Sequence, residues 1–388
     1  MTDFAKSQPQ AAYAAYIKGY RSKFTHFSRT IEDFGKYLEP IEDLLRNKFI
    51  PILLDIPGTV PPELRNLFAL PVKEGGMGIS CLKTEAIDQY LASTSITQVH
   101  VGSIIGQSRV LAEKNGDGND MSELKNINRR QKHENLSKKK IEVESCLTDE
   151  MLNFVRQARD KGASSWLNAL PIESQMFSLN ALEFRDALKL RYGLRLENLP
   201  SKCTCDEKFD VYHALSCKKG GFVTQRHDNI RNFFATLLNQ ICKDVMVEPP
   251  LNPVLGVKFP KSTNTEDEAR LDIKARSFWR NGQTAFFDVR VTHVNSNSNE
   301  QKNTTEIFKQ NEDEKKRQYL KRVLEIEHGT FTPLVMGTNG GMGKEWSRFF
   351  THLAQQLAEK QNEEYGIIVS WIRPPLSFEI LKSAILCV

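Results

Sequence analysis

No apolar run in the chain approaches the roughly 18 residues that a membrane-spanning helix needs. The N-terminal segment MTDFAKSQPQAAYAAYIKGYRSKFTHFSRT has no hydrophobic core followed by a small-residue cleavage site. Both absences exclude a helical membrane protein from the reading and lead us to expect an intracellular protein, nuclear or cytoplasmic. Cysteine is scarce, at seven in 388 residues, which is no disulfide scaffold. Charge of one sign is missing too: the formal net charge is only +5, so bulk electrostatics does not by itself establish a nucleic-acid partner. Internal repeats are also absent. With 40% hydrophobic and 26% charged residues, the chain is an ordinary globular one, long enough for two or three domains.

Apolar residues recur at three- and four-residue steps through 11–54, which predicts one or two helices ended by the Pro- and Gly-rich stretch DIPGTVPPELRNLFALPVKEGGMGIS. Tyr13, Tyr16, Tyr20, Phe24 and Phe27 lie on this helical spacing and are expected to pack in a core. The same expectation holds for Trp166, Trp279, Trp346 and Trp371. A helix is predicted from Lys83 to about Gln107, followed by a polar stretch to about 147 that is either an exposed linker or a solvated helix. Its basic run (Arg129, Arg130, Lys132, Lys138, Lys139, Lys140) reads as a hydrated face. Residues 148–195 return to amphipathic helix, with Trp166, Leu167, Leu170, Phe177, Leu182, Phe184 and Leu188 as core candidates. Beyond Val247 the pattern changes. Strands are expected at EARLDIKARSFW and QTAFFDVRVTHV, joined through the turn signal Arg280-Asn281-Gly282, then a charged helix, a strand at GTFTPLVMGT and two closing helices. The fold class expected is α+β, a helical N-terminal half followed by a mixed α/β unit.

Three of the seven cysteines fall within fifteen residues. Cys203, Cys205, His213 and Cys217 form C-x-C-x7-H-x3-C, a set of soft thiolates and an imidazole of the kind that closes a tetrahedral Zn²⁺ site. Cys242, on an apolar helical face, reads as a core thiol.

Two aspartates interrupt apolar strands, Asp272 in RLDI and Asp288 in FFDVRV. A lone carboxylate buried there would be costly. Paired across a sheet, the two would offer hard oxygen ligands to Mg²⁺ or Mn²⁺, the chemistry of a nuclease. Glu248, read as the end of the preceding helix, offers a third oxygen, and Arg290, Lys315 and Lys316 offer positive charge.

Three separated stretches together resemble the C-terminal part of non-LTR retrotransposon reverse transcriptases, in the branch that cuts its target with a restriction-like endonuclease. PPELRNLFALPVKEGGMGIS resembles the thumb region that follows the polymerase palm. CTCDEKFDVYHALSCKKGGFVTQRHDNIR resembles that family's zinc knuckle with its Gly-Gly and Arg-His segment, here Gly220, Gly221, Arg226 and His227. RLDI and FFDVRV resemble the endonuclease core, which is similar to the PD-(D/E)XK nucleases. The resemblance implies a thumb-like region at 1–115, a polar linker at 116–147, a helical linker domain at 148–200, a zinc knuckle at 201–222 and a restriction-like endonuclease at 223–388.

It further implies that Asp272 and Asp288 hold the catalytic metal. Leu271 stands where that family has proline, and Arg290 where the general nuclease pattern has lysine. In this branch the lysine moves to the following helix, which points to Lys315 or Lys316. Arginine is too basic to act as a base, so Arg290 would only stabilise charge. Arg226, His227 and Arg231 are expected to grip backbone phosphate. No Tyr/Phe-x-Asp-Asp motif of a polymerase palm occurs, so the chain is expected not to polymerise DNA. The expected function is a metal-dependent endonuclease that nicks DNA, with element RNA and a polymerase-bearing chain as further partners. The alternative is a catalytically inactive, domesticated or truncated nucleic-acid-binding remnant.

Overall fold

The computed structural model describes residues 1–105, 117–296, 299 and 302–388. The chain divides into two compact units, one of Met1–Arg156 with Leu179–Gly193, the other of Gln157–Ser178 with Leu194–Val388. Segment 148–200, expected as a domain of its own, is shared between them.

The first unit is helical. Where one or two helices were expected over 11–54, a series of short ones forms, among them Pro9–Lys18, Thr25–Thr30, Glu39–Leu44 and Ile50–Leu54. Pro40 and Pro51 each sit in the first turn of a segment, where a missing N–H costs nothing. Tyr13 and Tyr16 enter the core as expected, packing on Phe184 and Phe49 with ring centroids 6.0 and 5.5 Å apart. Tyr20 and Phe27, in contrast, are partly exposed, because the segment after Gly19 tightens and the stripe loses its phase. The helix Ala181–Tyr192 starts with a capping box between Asn180 and Glu183 and stops at left-handed Gly193. Leu188 and Phe184 face inward from it while Leu182 is exposed. Helices Leu82–Ile105 and Asp117–Ser145 are long, so the polar stretch is a solvated helix over its described residues.

The second unit is built on a four-stranded sheet in the order β1 (Lys243–Val247), β2 (Ile273–Arg276), β3 (Thr284–Thr292) and β4 (Thr330–Gly337). β1 pairs antiparallel with β2, β2 antiparallel with β3, and β3 parallel with β4. Its helices are α1 (Val211–Ser216), α2 (Phe222–Ile241), α3 (Thr304–Glu325), α4 (Lys344–Gln361) and α5 (Tyr365–Cys387). α3 is the crossover between the parallel strands, as antiparallel hairpins need no helix and parallel pairs do.

The two-residue period of β3 decides what each face of the sheet carries. Ala285, Phe287 and Val289 join the main core with Ile230, Phe234 and Leu238 of α2 and Trp346, Phe349, Phe350 and Leu353 of α4. Phe286 faces the other way, with Val323 of α3 and Phe331 of β4. Trp346 is fully buried, with the Phe234 ring edge-on at 5.1 Å. Deleting any one of these aromatics would cost about 3–5 kcal/mol. Trp166 is buried as expected, but Trp371 and Leu170 are about half exposed. Among the described residues, no helix is long and apolar enough to cross a membrane.

Candidate functional site

Asp288 lies between Phe287 and Val289 on β3, so its side chain leaves the sheet on the α3 side, the same side as Phe286. There it is buried, and Lys315 of α3 meets it with Nζ 2.7 Å from Oδ2. The contact is a close ion pair between the strand and its crossover helix. Lys316, one residue on, turns to Glu345 at 2.6 Å. Of the two lysines, Lys315 is the one at Asp288. Arg290, two residues after Asp288 and on the same face, donates to Glu314 at 2.7 Å and not to either aspartate.

Asp272 immediately precedes β2. Its backbone N–H donates to Phe287 O at 3.2 Å, and its Oδ2 accepts from the Val289 backbone amide at 2.5 Å. The hairpin therefore supplies both carboxylates, Asp272 at the end of one strand and Asp288 in the middle of its neighbour. His227, from the first turns of α2, sits with Nε2 3.2 Å from Asp272 Oδ2 and 3.1 Å from Val289 O.

Burial pushes the Asp288 carboxyl up to about 6, helped by the negative charge of Asp272 and opposed by the Lys315 ammonium. His227 is pushed up to about 9, first by its hydrogen bond to Asp272 and then by that carboxylate's charge, against the opposing effect of burial. At neutral pH the imidazolium of His227 and the ammonium of Lys315 bracket the two carboxylates.

Three expected roles are corrected. Arg226 was read as a phosphate contact; it is 2% exposed and donates through Nη2 to Leu215 O at 3.0 Å, pinning the end of α1. Arg231, one turn beyond His227, is also buried and pairs with Asp228 at 3.1 Å and with Glu248. A helix that packs against a sheet turns this face inward, and a buried guanidinium takes the nearest carbonyl or carboxylate. Glu248 follows strand β1 rather than ending a helix; its amide donates to Asp272 O at 2.9 Å and its Oε1 pairs with Arg231.

The second constellation lies before α2. Cys203 and Cys217 Sγ are 3.7 Å apart, Cys217 and Cys205 Sγ 3.8 Å, and Cys205 Sγ is 3.2 Å from His213 Nε2. All four ligand atoms fall within 4.8 Å of one another, a group that could hold a metal ion, and no other group of three or more such residues occurs among the described residues. The loop is made by left-handed Asp206 and the bridge between Lys202 and Lys208. Asp210 caps α1 by accepting from the His213 amide at 2.8 Å, which places the His213 ring over the cysteines. The cluster is held to the unit by Ala214 and Leu215, which pack on Ala384 and Cys387 of α5.

Sequence reasoning missed His293, which is buried at the end of β3 with Nδ1 3.1 Å from Thr338 Oγ1 and its ring 5.7 Å from that of Tyr212. It also missed that His227 serves Asp272, a partner 45 residues away. No protein-family model matches the chain, and no curated protein matches it.

Proposed function

We propose that the second unit is a metal-dependent DNA endonuclease of the PD-(D/E)XK kind, within a chain derived from a non-LTR retrotransposon reverse transcriptase. The observation that carries this is the set of Asp272, Asp288 and Lys315, brought together from a β-hairpin and the following crossover helix. Two carboxylates with a lysine at their edge are the minimum a phosphodiesterase of this type needs. The all-helical first unit supports the thumb-like part of the reading.

Asp272 and Asp288 fit a divalent cation. They are hard oxygen donors close enough that the charge of Asp272 raises the proton affinity of Asp288, and a divalent cation held by both would relieve that repulsion. When bound there, Mg²⁺ or Mn²⁺ supplies Lewis-acid polarisation of the phosphate and an activated water. The residues of the chain do the rest. His227 and the Val289 amide fix the orientation of the Asp272 carboxylate. Lys315, paired with Asp288, would orient the attacking water or balance charge on the phosphate.

The Cys203, Cys205, His213 and Cys217 group fits Zn²⁺. With Zn–S bonds of about 2.3 Å, a tetrahedral site sets sulfur atoms about 3.8 Å apart. The observed 3.7 and 3.8 Å agree. We assign it a structural role, holding α1 and the start of α2 in place.

The test is plasmid nicking by the purified chain with Mg²⁺ or Mn²⁺, comparing wild type with Asp288→Ala. The reading requires metal-dependent nicking that the substitution abolishes while filter binding of DNA persists. A folded, zinc-loaded wild type that never cuts would overturn it in favour of a nucleic-acid-binding remnant.

A further inference from the structure

We infer that loop 252–264, between β1 and β2, is a DNA-contacting wedge that inserts Leu255 at a base step while Lys258 and Lys261 hold the flanking phosphates. The inference rests on the endonuclease reading for its ligand.

The loop is irregular at its tip yet firmly held at its base. Arg322 of α3 is fully buried and donates to Asn252 O on one stem, at 3.0 Å, and to Asn264 O and Glu266 O on the other, at 2.9 Å each. Glu327 accepts from the Asn252 amide. Asn264 N donates to Gln318 O at 3.0 Å. A buried arginine that ties two loop stems together, with Phe259 beneath Lys321 of α3, leaves the tip around Leu255 and Gly256 to project.

What projects is unusual for a solvent-facing loop. Leu255 is 80% exposed and Val257 39%, beside a glycine, Gly256, that takes a left-handed turn in open space. Isolated exposed leucines are ordinary, but this one sits at the tip of a braced loop. Lys258 and Lys261 are exposed beside it. From Pro249 through Thr265 the segment contains no acidic residue, and the carboxylates resume only with Glu266, Asp267 and Glu268 past the second stem. An apolar tip followed by two exposed lysines, with the nearest carboxylates held at the stems by Asn252 and past Asn264, complements a polyanion whose base stack can be pried open.

Position ties the loop to the carboxylate site, and on the endonuclease reading that site takes DNA. Asn264 Nδ2 donates to the Tyr319 hydroxyl at 3.3 Å, and Lys315 Nζ lies 5.7 Å from the centre of the Tyr319 ring. The second stem is therefore two contacts from the lysine at the carboxylate pair, which puts the loop on the same side of the sheet as the proposed phosphate site. Opening a step beside the scissile phosphate bends the duplex and exposes that phosphate.

The experiment uses the full chain with Ca²⁺ in place of Mg²⁺ and a duplex of mixed sequence carrying 2-aminopurine, whose fluorescence rises on unstacking. Wild type should raise the fluorescence. Leu255→Ser should abolish the rise while changing affinity less than about tenfold, and Lys258→Glu with Lys261→Glu should weaken binding and reduce the slope of log affinity against log salt by roughly two. Zinc content and circular dichroism certify the fold of each variant. A wild type that binds without unstacking, or a Leu255→Ser variant that unstacks as well as wild type, overturns the wedge. So does loss of self-association in Leu255→Ser, read by sedimentation, with DNA behaviour unchanged; that result assigns the tip to a second copy. Unstacking and cleavage are separate readouts. A wild type that unstacks but never cuts retains the wedge and removes the endonuclease, and one that cuts without unstacking does the reverse.

Discussion

Lys315 Nζ stands 2.7 Å from Asp288 Oδ2, while Lys316, its neighbour in sequence, reaches Glu345 at 2.6 Å on another side of the same helix. Successive helical residues point about 100° apart, so only one of the two can face β3. The pair at Asp288 joins a strand to its crossover helix, and the pair at Glu345 joins that helix to α4. The same residue type thus has two separate jobs on consecutive positions.

The two lysines should separate in kinetics. Lys315→Ala is expected to lower the nicking rate by about 10²-fold or more, the usual loss for a positioned acid–base or charge-stabilising group. Lys316→Ala should leave the rate within a few-fold and register instead as a small fall in melting temperature. Single-turnover nicking of both variants beside wild type decides it; equal losses would place both at the site or neither.

Metal removal should act on the fold. We expect one zinc per chain by atomic emission and none in a Cys205→Ser, Cys217→Ser double variant. Because ligation is folding free energy, the melting transition of the second unit should drop by several degrees on zinc loss. The drop should be reversed by Zn²⁺ in wild type and not in the variant.

His293 predicts a pH effect on stability. Burial, aided by the nearby Arg226 charge, lowers its pKa to about 4 from the ordinary 6.5. Above pH 6.5 the ring is neutral both folded and unfolded and contributes no pH dependence. As pH falls from 6.5 towards 4 the unfolded chain takes up the proton and the folded one does not, so stability is lost across that window, by about 3 kcal/mol at most. Denaturant melts of wild type and His293→Gln at a series of pH values check this: their difference should grow between pH 7 and pH 4, and parallel curves would refute it.

Gly193 offers a test in the first unit. It ends the helix Ala181–Tyr192 at φ 64°, and a Cβ there would fall on the Phe154 ring. Gly193→Val combines left-handed strain with overpacking and should destabilise that unit by about 2 kcal/mol or more. Thermal melts followed by circular dichroism would show it, and Gly58→Val, left-handed in open space, isolates the strain from the clash.

Much of the second unit was legible in the residues. FFDVRV has the period of a buried strand interrupted by one acid, and EIFKQNEDEKKRQYLKRVLEIE and KEWSRFFTHLAQQLAE have helical spacing; each forms the element expected. The strand KDVMV was not, because its five residues continue a helical run and alternate weakly, and they become a strand only by pairing with β2. In the first unit the aromatic stripe was right at Tyr13 and Tyr16 and failed at Tyr20 and Phe27, where the backbone leaves α-helical phase.

By itself the sequence determined what local spacing controls. The four Cys and His ligands lie within fifteen residues, so a capped turn is enough to gather them, and the acids of the hairpin are marked by apolar neighbours on both sides. Tertiary structure alone decided which lysine meets Asp288, that the His227 ring meets the Asp272 carboxylate, and that Arg226 and Arg231 turn inward. Periodicity gives the angle between residues on one helix. The rotation of that helix against the sheet comes only from the packing of α2, α3 and α4 on β3, and that rotation assigned each charged side chain to the site, the core or the solvent.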